Sequence, residues 1–226
     1  MSQNKTNFAV PLAFVGMMFF AIGFALGINS FLIPVLKGAL SLPSGVAYLL
    51  LAATFVPFLI FGYPASATIA KIGYKRTMAL SFLIFAVAFI LFVLSAKLEN
   101  FILFLIASFV SGAANAYLQA SVNPYITILG PIESAAKRMS IMGICNKLAW
   151  PVAPLFFALV VADQTNVQTS DLYLPFYIII GVFLLLGIIS LMAPLPEVKA
   201  AGEDESDTAN CPYAANKTSI WQFPHL

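Results

Sequence analysis

Six apolar runs, each long enough to cross a hydrocarbon core as about 20 helical residues, occupy most of this 226-residue chain. They cover approximately 8–34, 45–69, 77–96, 100–129, 136–162 and 172–195. In lipid a backbone must satisfy its own polar groups, so runs of this length are expected to be helices. Only 9% of residues are charged, against roughly 25% in a soluble domain, and the charges are confined to short stretches between runs. A soluble fold has no means of covering that surface. The first run exceeds the roughly 7–15 apolar residues of a secretory signal, and no convincing cleavage site follows, so it stays as a helix. Ser44 and Asn100 are expected to cap the second and fourth helices, and Pro34 and Pro194 to lie near the ends of the first and sixth.

Orientation follows from the basic residues, which are retained on the cytoplasmic side during insertion. Six helices place both termini on one side, together with Lys5, Lys71, Lys75, Arg76, Lys137, Arg138, Lys199 and Lys217. The opposite loops hold Lys37 and Lys97, so both termini are expected to be cytoplasmic. Residues 1–196 form the transmembrane unit. Residues 197–226, with Glu203, Asp204, Glu205 and Asp207, read as a cytoplasmic polar linker that cannot bury a core. A net charge of +2 gives no footprint for nucleic acid. Cys145 lies in an apolar run and Cys211 in the polar tail; they are not expected to pair, and neither has metal-ligand spacing.

Polar side chains within a span are costly unless paired or facing a cavity, so they are where function is sought. Asn115, Gln119 and Asn123 recur every four residues on the fourth helix and fall in one stripe, with Gly112 on it. Such amides either bond neighbouring helices or line a solute path. Pro124 favours the path, because its missing N–H frees the carbonyl of Ala120 beside Gln119. Lys147, on the fifth helix, is the only basic residue deep within a span. Asn146 precedes it, Trp150 lies one turn on, and Pro151 frees its carbonyl. A structural ammonium is the plain alternative, yet intramembrane charge points to a cavity. In the first helix Asn29 and Ser30 follow Gly23 and Gly27, whose spacing permits close helix packing; Asn29 joins the candidates and Ser30 ranks below it. Trp150 reads as packing before sugar stacking. There is no deep acid pair, the sole histidine is His225 in the tail, and no phosphate loop or metal cluster exists. Neither enzyme activity nor a cofactor is expected.

A faint internal repeat aligns INSFLIPVL from Ile28 with VNPYITILG from Val122, matching Asn29 to Asn123 and Phe31 to Tyr125. Inverted three-helix repeats of transporter halves have this form.

Read together, INSFLIPVLKGA, KIGYKR, NPYITILGPIESAAKR and MGICNK resemble the sugar permeases of the major facilitator superfamily, over essentially residues 8–226. The match looks like the branch of fucose permease and the glucose/galactose transporters. That resemblance implies an all-α membrane protein whose six transmembrane helices are one half of a major facilitator fold, a 3+3 inverted repeat. It also implies a sugar site between two halves and alternating access in the bacterial inner membrane. SIWQFPHL resembles the approach to a seventh helix, so the chain is expected to stop where a second half begins. KIGYKR is a degenerate form of the family's basic loop, with Ala70 where an Asp is usual and Ser66 in place of a glycine. Ser30 and Gln119 stand where fucose permease carries acids for proton coupling and sugar binding, so coupling to protons, sodium or neither stays open. The amide of Gln119 still both donates and accepts. The resulting expectation is transport of a glucose-, galactose- or fucose-type monosaccharide, bound by Asn29, Asn115, Gln119, Asn123, Asn146 and Lys147. Its partners are the sugar, the bilayer, a coupling ion, and a second half or self-association. The competing readings are a non-transporting membrane fragment or scaffold, and a half-transporter acting as a homo-oligomer.

Overall fold

The computed structural model describes residues 9–129, 132–161 and 168–193, which hold helices and no strand. In order these are α1 (Ala9–Ala39), the single turn α2 (Ser44–Ala47), α3 (Leu49–Lys97), α4 (Phe101–Ile128), α5 (Ala135–Val160) and α6 (Tyr173–Met192). Short 3-10 turns at Ile132–Ser134 and Thr169–Leu172 lead into α5 and α6. Five helices are long and apolar enough to cross a membrane. With 49 residues α3 would span about 73 Å, more than twice a hydrocarbon core of about 30 Å. It bends at Gly73, where φ is 81° and ψ 169°, into limbs 49–72 and 74–97. The chain therefore makes six crossings, as its apolar runs predict.

Several boundaries differ from expectation for physical reasons. The loop expected between the second and third runs is reduced to Gly73, because glycine alone takes a positive φ without a Cβ clash. Lys71, Lys75 and Arg76 extend the flanking limbs instead, since long basic side chains favour helix and carry their heads outward. α1 continues through Pro34 to Ala39; in a span the freed carbonyl, that of Ser30, is tolerated where neighbouring helices protect it. Ser44 opens the short α2 behind the N-cap Pro43 without a side-chain cap bond, and the crossing itself begins at Leu49. Asn100 does cap α4, accepting the N–H groups of Ile102 at 2.9 Å and Leu103 at 3.4 Å. Pro194, Cys211 and the linker at 197–226 lie outside the described residues.

Packing divides the helices into two units: α1 lies chiefly on α5, while α3 lies on α4 and α6. Lipid gives no hydrophobic drive to helix association, so close backbone approach and ring packing must supply it. A Cβ on Gly23 would lie 1.9 Å from the carbonyl oxygen of Asn146, and one on Gly27 2.5 Å from that of Trp150. The paired glycines thus let α1 touch the backbone of α5, as their spacing predicts. Gly112 makes the equivalent approach to α3, 2.2 Å from the carbonyl oxygen of Thr54, and so belongs to packing. The second limb of α3 meets α6 through stacked rings, with Phe85 and Phe183 centroids 4.8 Å apart and Phe92 and Phe176 5.5 Å apart.

Arg138 has a role that its charge alone does not reveal. Buried at the start of α5, it donates from Nε to the carbonyl of Ile126 at 3.2 Å and from Nη2 to that of Thr127 at 3.1 Å. Nη1 donates to the hydroxyl of Ser134. The guanidinium closes the C-terminal end of α4, where carbonyls lack helical partners.

The basic-residue bias makes a topological prediction. With Cys145 and Cys211 replaced, a single cysteine at exposed Gln168 is expected to react with an impermeant reagent on intact cells, and one at Lys137 is not. Reaction at Lys137 alone would reverse the assignment.

Candidate functional site

A cleft of about 250 Å³ opens between α1, α4 and α5. α1 contributes an apolar wall of Phe19, Ile22 and Leu26; the polar side is Gln119 and Asn123 of α4 with Asn146 and Lys147 of α5. Helical spacing produces the grouping. Gln119 and Asn123 are one turn apart, and Asn146 and Lys147 are adjacent, so each helix presents a short polar patch to the same space.

Within the cleft the groups are unequally engaged. Gln119 donates from Nε2 to Oδ1 of Asn115 at 3.3 Å, and its own oxygen has no hydrogen bond among the described residues. Asn146 donates from Nδ2 to the carbonyl of Phe19 at 3.1 Å, tying α5 to α1. Lys147 stands 12 residues into α5, about 18 Å from the helix start, and is exposed. Its Nζ lies 5.0 Å from the ring centroid of Trp150, within cation–π range. No carboxylate pairs with it among the described residues.

Four of the six predicted residues are thus brought together, and two lie behind them. Asn29 is 1% exposed and joins α1 to α4. It donates to the carbonyl of Ala25 at 3.3 Å and to Ser111 Oγ at 3.4 Å, while Ser108 Oγ donates to it at 3.4 Å. Asn115 is fully buried; it accepts the bond from Gln119, and its Nδ2 has no partner among the described residues. A four-residue step advances about 40° around a helix, so the stripe drifts by about 80° from Asn115 to Asn123. That drift carries the stripe from the helix interface into the cleft.

Two residues ranked below the candidates gain significance. Ser30, which donates to the carbonyl of Leu26 at 3.1 Å, lines two further hollows. One, of about 410 Å³, is shared with Gly27, Trp150 and Pro154; the other, of about 460 Å³, with Pro34, Lys37 and Tyr48. Trp150, read from sequence as packing, sits beside Lys147 and lines the middle hollow. The three-residue offset from Lys147 was the available signal. A separate hollow of about 300 Å³ between α1, α5 and α6 has only apolar lining, including Phe24, Phe156 and Phe183, and offers nothing to a hydroxyl.

Amides that donate and accept, together with an ammonium that donates, can hold a hydroxylated solute. Among the described residues no cluster of three or more His, Cys, Asp or Glu side chains could hold a metal ion.

The sequence pattern of the Major Facilitator Superfamily matches residues 14–224. A glucose/galactose transporter of Brucella abortus is 30% identical over 230 residues, covering 100% of this chain and 54% of that protein. An L-fucose-proton symporter of Escherichia coli is 22% identical over 242 residues, covering 98% of this chain and 55% of the relative. The chain thus spans about half the length of these relatives. The crystal structure of FucP, a Major Facilitator Superfamily transporter in the outward conformation, superposes with a TM-score of 0.71 at 23% identity. That superposition covers 84% of this chain and 51% of the other, and supports the fold. The chain belongs to the Major Facilitator Superfamily, and its six crossings are one half of that transporter fold.

Proposed function

We propose that this chain is one lobe of a monosaccharide permease of the bacterial inner membrane, with both termini cytoplasmic, working by alternating access against a second lobe. The observation that carries the reading is the convergence of Gln119, Asn123, Asn146 and Lys147 on one cleft. Polar groups at such depth in a span are costly unless they serve a pathway. The relatives, named as glucose/galactose and fucose transporters, supply the solute class. At about 250 Å³ the cleft lies at the small end of small-molecule sites, which suits one sugar ring shared with a facing lobe. The second lobe is a further segment or chain, a second copy included. Ser30 and Gln119 are neutral, so neither can carry a coupling proton as a carboxylate would.

Uptake of labelled monosaccharides into vesicles holding the chain with its second lobe tests the proposal. Saturable uptake is expected, and its absence for every monosaccharide tested, neutral or acidic, would end this reading. Gln119→Ala is expected to weaken sugar binding by about fivefold, the equivalent of about 1 kcal/mol for one neutral hydrogen bond. Gln119→Glu should add a pH dependence by introducing a titratable acid. Sugar affinity unchanged in Gln119→Ala would remove the residue from the site.

A further inference from the structure

The three polar hollows follow one another along α1. Leu26 lines the first, Gly27 and Ser30 the second, and Ser30 and Lys37 the third. The charged side chains lining them are two lysines, Lys147 in the first and Lys37 in the third, and no carboxylate lines any of the three. Every carboxylate of the described residues lies outside the membrane-crossing helices, on Glu99, Glu133 or Asp171. Glu99 accepts from the hydroxyl of Thr169 and Asp171 from the N–H of Gln168. The two charges on these hollows are therefore both positive, the deeper one facing an aromatic ring instead of an anion.

We infer that the solute of this cleft is an anionic monosaccharide, a sugar acid whose single carboxylate accepts hydrogen bonds from the ammonium of Lys147. This inference rests on the sugar reading above and narrows it. A neutral sugar offers Lys147 only hydroxyl oxygens and leaves its charge without a counter-ion. A carboxylate neutralises it through charge-assisted hydrogen bonds, while Gln119 and Asn123 remain to read hydroxyls. A sugar phosphate, close to doubly charged at neutral pH, would leave excess negative charge against one deep ammonium. Lys37 raises the local concentration of anions at the far hollow, an effect that salt screens.

Trp150 provides the readout. The chain has two tryptophans, so Trp221→Phe leaves Trp150 as the only one, next to Lys147. The chain, joined to its second lobe with that lobe's tryptophans replaced by Phe, is titrated in nanodiscs with galacturonate, its neutral methyl ester and galactose, following tryptophan emission. Galacturonate is expected to bind at least tenfold more tightly than either neutral sugar. Lys147→Gln should bring that ratio close to one, Lys147→Arg should retain it, and Lys37→Gln should reduce its dependence on salt. Equal or weaker binding of galacturonate, or a preference that survives Lys147→Gln, overturns the inference while leaving the sugar reading in place. Binding of neither the acid nor the neutral sugars overturns both.

Discussion

Gly23→Val is expected to force α1 away from α5 and to destabilise the bundle by about 3 kcal/mol or more, the upper range for overpacking. A Cβ at this position lies 1.9 Å from a backbone oxygen, that of Asn146, so no rotamer change relieves the clash and one helix must move. The movement also stretches the hydrogen bond from Asn146 to the carbonyl of Phe19, which belongs to the same contact. Gly181→Val is the control, because nothing lies within 4 Å of a Cβ there. Thermal unfolding of both variants in detergent measures the difference. Equal melting temperatures would mean that α1 and α5 do not meet as closely as described.

The second large effect is expected at Arg138. Its Nε and Nη2 bonds to the carbonyls of Ile126 and Thr127 are charge-assisted, worth roughly 1.5–3 kcal/mol each. Arg138→Met removes both and leaves the end of α4 without its cap, a loss of about 3 kcal/mol or more. Arg138→Lys should recover only part, since one ammonium cannot reproduce the fork of a guanidinium. Hydrogen exchange at the last turn of α4 should accelerate in the Met variant ahead of global unfolding. Protection equal to that of the parent chain would show that the cap contributes nothing.

Arg138 also illustrates what the sequence conceals. Its charge near a helix end is legible as an orientation signal, but the carbonyls it meets lie 11 and 12 residues earlier, and only the packed structure shows the contact. Crossing number was legible because length and apolarity alone decide it. Gly73 was less so: a basic hexapeptide reads as a loop, yet one positive φ reverses the chain while both helices continue. At the site, the cost of polar atoms in lipid singled out Lys147, Asn146, Gln119 and Asn123, which the structure gathers around one cleft. The same cost says only that Asn29 and Asn115 need partners or a cavity, not which. Ser108 and Ser111, which bond Asn29, are ordinary small residues on a helix until α1 is seen beside them.

The division of the bundle into an α1–α5 unit and an α3–α4–α6 unit bears on how occupancy becomes motion. The cleft lies on the seam, with Gln119 and Asn123 on one side and Asn146 and Lys147 on the other. Across that seam the polar ties of Asn29 to Ser108 and Ser111 are long, at 3.4 Å each. Within each unit, glycines bring backbones into direct contact. The closest glycine contacts thus fall within the units, and the Asn29 bonds join them. On the proposed function, a solute that contacts both sides of the cleft would bridge α4 to α5 and so link the two units.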